Sequence, residues 1–269
     1  MKFTAFAGNR SFTFSTLKEV LAKANEEKSG DILAGIAAET ELERMAAKQV
    51  LSELNLATLF ENPVVEYEND ELTRLVADNL DQEAFQKIRT WSVAELREFL
   101  LSCRVGSEEI NAIRGALSGE MVAAVCKIMS NMDLVLAAKK CRVISRAKTT
   151  LGLPGVLAGR LQPNHPADSI EGITASICEG LSYGVGDAVI GINPVFDTAE
   201  TVARLLQASD EIIRKLELPT QNCILSHIST QMKAIEDGAP AGLIFQSIAG
   251  SQKANTAFGI NLEFLMKAD

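Results

Sequence analysis

The spacing of apolar residues changes once along this chain. Residues 2–14 alternate, with Phe3, Ala5 and Ala7 before Gly8-Asn9 and Phe12 and Phe14 after it. That period of two predicts a hairpin turning at Ala7-Gly8-Asn9-Arg10. From there to about residue 145 the apolar positions take a helical period. Ser15 and Thr16 offer a cap for a helix through Val20, Leu21 and Ala24, and Ser29-Gly30-Asp31 reads as its break. Further helices are expected at 32–38 and 41–53, from Asp70 through Val76, and from Ser107. Ser92-Val93-Ala94-Glu95 has capping-box spacing and opens a helix through Leu100. The alanine-rich stretch 118–138 predicts one or two buried helices.

After Thr149-Thr150, short apolar runs alternate with amphipathic helices. Four runs end in polar side chains: Leu151–Pro163, Asp187–Pro194, Gln221–His227 and Gly242–Ser247. They read as buried strands whose carboxyl ends line one site. Helices are expected at 169–182, 198–216, 230–237 and 252–267. Asp168-Ser169-Ile170-Glu171 and Asp197-Thr198-Ala199-Glu200 open the first two with matching capping-box spacing. This alternation implies a parallel sheet with helical crossovers. The expected fold is α/β: a mostly helical domain over 1–148, then over 149–269 the first four β/α units of a (β/α)8 TIM-type barrel. A whole barrel needs about 250 residues. Half of one leaves open sheet edges, so this stretch expressed by itself is expected to associate.

Composition narrows the function classes. The net charge is −9 and basic residues form no cluster, which argues against a nucleic-acid partner. No apolar run reaches membrane-spanning length. Cys103, Cys126, Cys141, Cys178 and Cys223 are scattered without CxxC spacing. They suggest buried thiols in a reducing cytoplasm rather than a zinc site, and His165 and His227 are too few for a histidine-rich metal centre.

Candidate chemistry gathers at the strand ends. Arg160 is either a structural ion-pair partner or a substrate-facing cation. Gln162 and Asn193 are neutral amides able to donate and accept. Together these three suit a small polar substrate, yet they supply no base and no nucleophile. That absence fits chemistry carried by a cofactor. Gly180, Gly184, Gly186 and Gly191 precede and enter a strand, so they read as close helix–strand packing rather than a phosphate loop. His165 reads as a surface-loop histidine, Lys148 as misplaced for a Schiff base, and the acidic run 66–71 as a solvated helix start.

Longer runs carry a family resemblance. Leu-Pro-Gly-Val-Leu-Ala-Gly-Arg-Leu-Gln-Pro-Asn at 153–164, Glu-Gly-Leu-Ser-Tyr-Gly-Val-Gly-Asp-Ala-Val-Ile-Gly-Ile-Asn-Pro at 179–194 and Gly-Leu-Ile-Phe-Gln-Ser-Ile at 242–248 closely resemble the ethanolamine ammonia-lyase large (heavy) subunit. So do 18–25 and 46–53, and the likeness runs over essentially the whole chain. It implies adenosylcobalamin-dependent radical deamination of ethanolamine to acetaldehyde and ammonia, a carbon–nitrogen lyase activity. It implies substrate inside a barrel near the strand carboxyl ends, and a cobalamin over that mouth at the junction with a small (light) subunit. Large subunits would pair into dimers and then a hexamer, in the cytoplasm or inside a bacterial microcompartment. Arg160 and Asn193 match the groups that hold the substrate hydroxyl, Gln162 one that holds the amine, and Pro194 and Gln246 positions contacting the cobalamin. The family's acidic ligands for the substrate ammonium lie beyond position 269, so this stretch by itself is expected to lack activity.

Two other readings belong to different classes. One is a non-catalytic, half-length assembly or scaffold relative of that subunit. The other is a corrin-free barrel enzyme working through Arg160 and His227.

Overall fold

A computed structural model describes residues 2–268. The chain divides into two compact units, 1–142 with 250–254, and 143–249 with 255–269.

The first unit opens with the hairpin β1 (Phe3–Ala7) and β2 (Arg10–Phe14), antiparallel with Ala7 opposite Arg10. Gly8 takes φ +58 in the turn, a conformation costly for residues with a Cβ. Helices follow: α1 (Leu17–Lys23), α2 (Ser29–Leu33), α3 (Glu41–Glu53), α4 (Leu56–Glu61), α5 (Glu71–Asp78), α6 (Gln82–Ile88), α7 (Val93–Leu101), α8 (Ser107–Ile113), α9 (Gly119–Lys127) and α10 (Asn131–Ala138). Their starts obey local rules. The hydroxyls of Thr16 and Thr40 cap α1 and α3, and Ser92 with Glu95 forms the expected capping box on α7. Ser29-Gly30-Asp31 does not break a helix as expected; it begins α2, because α1 has already ended at Lys23. Phe14, Leu51, Leu56, Leu59, Ile88, Leu96 and Met121 fill the core, each at most 1% exposed. Each such side chain contributes roughly 1.5–3 kcal/mol by leaving water.

The second unit starts with a two-residue pairing, β3 (Ser145–Arg146) with β4 (Thr150–Leu151). Then come β5 (Arg160–Leu161), α11 (Ile170–Ser182), β6 (Val189–Ile192), α12 (Ala199–Lys215), β7 (Asn222–Ile224), α13 (Ile228–Glu236), α14 (Gln252–Ala257), whose residues 252–254 count with the first unit, and α15 (Leu262–Ala268). The strands β5, β6 and β7 form one parallel sheet in that order, with Arg160 opposite Val189 and Ile190 opposite Asn222. The sheet is open: among the described residues nothing closes into a barrel. Leu161, Ile190, Ile192 and Ile224 pack with Ile173, Ile177, Val202, Leu205 and Leu206 of α11 and α12. Strand alternation then puts Arg160, Val189, Gly191 and Cys223 on the other face.

Several expectations are corrected here. The run 151–163 is not a buried strand along its length. Gly152 (φ +85) and Gly155 (φ +74) flank Pro154 and turn the chain, Leu157 is 96% exposed, and only Arg160–Leu161 pairs. The fourth run, 242–248, is not a strand. Two of its N–H groups go to side chains, Gly242 N–H to Asn222 Oδ1 and Phe245 N–H to Gln231 Oε1, while Leu243 N–H reaches the Asn222 carbonyl. The expected helix 252–267 is two, parted by Gly259 at φ +71. The thiols are mostly not buried: Cys223 is, whereas Cys103, Cys126, Cys141 and Cys178 are exposed.

Candidate functional site at the strand ends

Arg160 ends the loop into β5 and points away from the packed helices. Its guanidinium lies across Gly191 of the neighbouring strand. A Cβ at Gly191 would stand 2.8 Å from Nη2, 2.9 Å from Nε and 3.0 Å from Cζ. Beyond it, Cζ sits 5.9 Å from the centroid of the Phe245 ring, within cation–π range. Among the described residues Arg160 forms no ion pair, so the structural ion-pair reading finds no partner here. Cys223 shares this face. Burial pushes its thiol pKa up, and the Arg160 charge pulls the other way.

Gly191 therefore does something other than the close helix–strand packing expected of it. Gly180 fits that expectation, because its missing Cβ leaves room for the Leu161 side chain. At Gly191 the space is taken by a charged side chain.

Asn193 follows β6 by one residue. Its N–H donates to Asn164 Oδ1 at 2.8 Å, while its own Oδ1 is buried and has no hydrogen-bond partner among the described residues. A buried acceptor without a donor is costly, and such atoms call for an explanation. Gln162 is exposed and follows β5 by one residue. Pro194 is half-buried and leads into the exposed Val195 and Phe196. Gln246 is engaged: its Oε1 accepts from the Ile228 N–H at the start of α13, and its Nε2 donates to the Ser247 carbonyl at 2.8 Å.

The histidines are occupied too. His165 is half-buried rather than a free surface side chain; its Nδ1 accepts from Ala167 N–H at 3.2 Å. His227 accepts from Ser229 N–H through Nδ1, and Nε2 donates to the Phe258 carbonyl at 2.8 Å. Both ring nitrogens of His227 are thus hydrogen-bonded.

Sequence reasoning missed four residues here: Asn164, Asp168, Ser226 and Phe245. Asp168 is 3% exposed and binds the backbone after Asn193. Ser226, after β7, has a buried Oγ without a partner among the described residues. An Asp directly before a helix cap was the available signal, but it was read as part of the cap. The caps are Ser169 and Thr198, one residue later. A cavity of about 600 Å³ elsewhere, in the first unit, is lined by Phe60, Tyr67, Leu72 and Val76 and contains none of the strand-end residues.

Comparison with known proteins agrees with the sequence motifs. The family model described as "Ethanolamine ammonia lyase large subunit" matches residues 12–269. The ethanolamine ammonia-lyase large subunit of Escherichia coli K12 is 51% identical over 268 residues, and that of Salmonella typhimurium LT2 is 50% identical over 268. Each alignment covers 100% of this chain and 59% of the relative, so the chain spans about three-fifths of the length of these relatives. With the strand-end motifs inside the matched region, the chain belongs to the ethanolamine ammonia-lyase large-subunit family and corresponds to its N-terminal part.

Proposed function

We propose that this chain forms the substrate-binding strand ends of a large subunit that deaminates ethanolamine to acetaldehyde and ammonia. The observation that carries the reading is one sheet face. Among the described residues Arg160 lies there without an ion-pair partner, and Asn193 Oδ1 stands at the adjacent strand end without a donor. A hydroxyl accepts one bond and donates another. Arg160 would donate to the ethanolamine oxygen while Asn193 Oδ1 accepts its proton. Gln162, a neutral amide one residue past β5, would accept from the amine. A preorganised guanidinium would then stabilise negative charge developing on that oxygen during rearrangement.

The residues also suit adenosylcobalamin. Pro194, Val195 and Phe196 give an apolar rim after β6, and Gln246 adds an amide edge, a mixture that fits a broad macrocycle bearing amide side chains. Pro194 and Gln246 would contact it. When bound, it supplies the radical chemistry that removes hydrogen from the substrate. The chain's own task is to hold the substrate and exclude water.

Three parallel strands in consecutive order, joined by helices, support a (β/α)8 barrel whose remaining units belong to the longer family chains. The family name supports a small-subunit partner. Assembly of dimers into a hexamer, and a cytoplasmic or microcompartment location, rest on the resemblance alone.

The test uses the full-length chain with small subunit and cobalamin. Arg160→Ala should cut acetaldehyde release about a hundredfold, equivalent to about 3 kcal/mol, with unchanged melting. Arg160→Lys should recover part of it, since Lys keeps charge without the planar fork. Wild-type turnover in a folded, cobalamin-loaded Arg160→Ala enzyme overturns the assignment.

A further inference from the structure

The backbone just after Asn193 is held by side chains of the preceding strand-end loop. Asn164 Oδ1 accepts from Asn193 N–H at 2.8 Å. Asp168 accepts from Val195 N–H through both oxygens, each at 2.9 Å, and from Phe196 N–H at 2.9 Å. Three backbone donors across residues 193–196 thus find acceptors one loop back. The device recurs one strand on: Asp197 Oδ2 accepts from His227 N–H at 3.0 Å. Each aspartate directly precedes the residue that caps the next helix, Ser169 or Thr198, so neither is needed as the cap.

Asp168 holds this post at a cost. It is 3% exposed and sits at φ +49, in the left-handed region that non-glycine residues seldom occupy. Backbone strain in a buried residue persists where the surroundings demand it, and it concentrates near functional sites. Both carboxylate oxygens are used, so an amide cannot substitute; its NH2 would confront a backbone N–H. The beneficiary is Asn193. Its orphan Oδ1 has no bond of its own to fix it, so its direction depends on the backbone that Asn164 and Asp168 hold.

We propose that Asp168 and Asn164 are positioning residues that aim Asn193 Oδ1 at the substrate hydroxyl, Asp168 acting through the Val195–Phe196 backbone. The proposal rests on the reading of Asn193 as a substrate-holding group.

The experiment is a double-mutant cycle in the full-length enzyme assembled with small subunit and cobalamin. It measures kcat, KM and, separately, calorimetric affinity for ethanolamine. Asn193→Ala alone tests the underlying reading; an unchanged ethanolamine affinity there sinks that reading and this proposal with it. If Asn193→Ala weakens binding, Asp168→Asn and Asn164→Ala should each raise KM and Kd about tenfold with a smaller change in kcat. Those increases should vanish in the Asn193→Ala background, because contacting groups couple whereas independent ones add. Asp197→Asn, which holds the next loop, should remain additive with Asn193→Ala. Additive losses for both Asp168→Asn and Asn164→Ala overturn the proposal while leaving the substrate role of Asn193 standing. Should Asp168→Asn fail to fold, Asn164→Ala, which removes a single bond, decides by the same criterion.

Discussion

The guanidinium of Arg160 occupies the space that a side chain at position 191 would fill. Gly191 has φ in the ordinary range, so what it contributes is the missing Cβ rather than a special backbone conformation. Gly191→Ala would set a methyl 2.8–3.0 Å from Nη2, Nε and Cζ. The far end of a flexible arginine can move aside, so stability should change by less than about 1 kcal/mol. The guanidinium would leave its place before Phe245. Ethanolamine turnover in the full-length enzyme should fall roughly tenfold, since small misplacements of positioned groups are costly. Gly191→Ala combined with Arg160→Ala should be no worse than Arg160→Ala alone. Steady-state kinetics with thermal melts check this; a large stability loss would mean that the glycine serves the sheet itself.

Asn193→Ala and Ser226→Ala each delete a buried oxygen that bonds nothing within the described residues. Removing an unsatisfied group relieves its desolvation cost. Neither should lower the melting temperature, and a slight rise is expected. If Asn193 holds ethanolamine as proposed, its variant should raise KM about tenfold, the size of one lost hydrogen bond. A clear drop in melting temperature for either variant would show a bond that this reading omits.

Asn222 is a different case. It is 2% exposed and its two amide N–H groups are shared among the Leu206 carbonyl, Ser209 Oγ and the Pro240 carbonyl, while its Oδ1 takes the Gly242 N–H. One side chain joins β7, α12 and the segment after α13. Asn222→Leu should cost about 3 kcal/mol, because several buried partners lose their bonds at once. Asn222→Asp should also destabilise, since two carbonyls would face a carboxylate. Urea unfolding of the full-length chain measures both, and a cost below about 1 kcal/mol would contradict the network.

Asp70 gives the first unit an acid limit. It is 1% exposed and caps α5 through Thr73 N–H, while Gln252 N–H donates to its other oxygen at 2.6 Å. Burial raises its pKa, but the hydrogen bonds from Gln252 and Thr73 outweigh that and leave it below the usual aspartate value. A lowered folded-state pKa means stabilisation that is full above the unfolded value of about 3.9 and lost as pH falls through the folded value. Asp70→Ala should therefore lower the melting temperature near neutrality by roughly 2–4 °C, the worth of one cap. The gap from wild type should narrow below about pH 4. A gap independent of pH would assign the loss to packing instead.

The sequence by itself determined what local rules govern. The hairpin around Gly8, the caps at Thr16, Thr40 and Ser92, and the alternation of strand and helix after residue 149 follow from turn chemistry, capping and period. The caps and the turn reach four residues or fewer, so the sequence contains both partners side by side. The motif runs also sufficed to identify the family, whose model matches residues 12–269.

Tertiary structure decided the rest. Whether 151–159 and 242–248 become strands depends on neighbours to pair with and on where the glycines bend the chain, and apolar character alone does not report either. That Gly191 receives Arg160 follows from the register of β5 against β6, in which Arg160 stands opposite Val189 and its side chain crosses to the next residue on the same face. Asp168 and Val195 are 27 residues apart in the chain. Only the parallel crossover through α11 brings that carboxylate to the loop after Asn193, because a βαβ turn returns each strand end to the edge of the one before it.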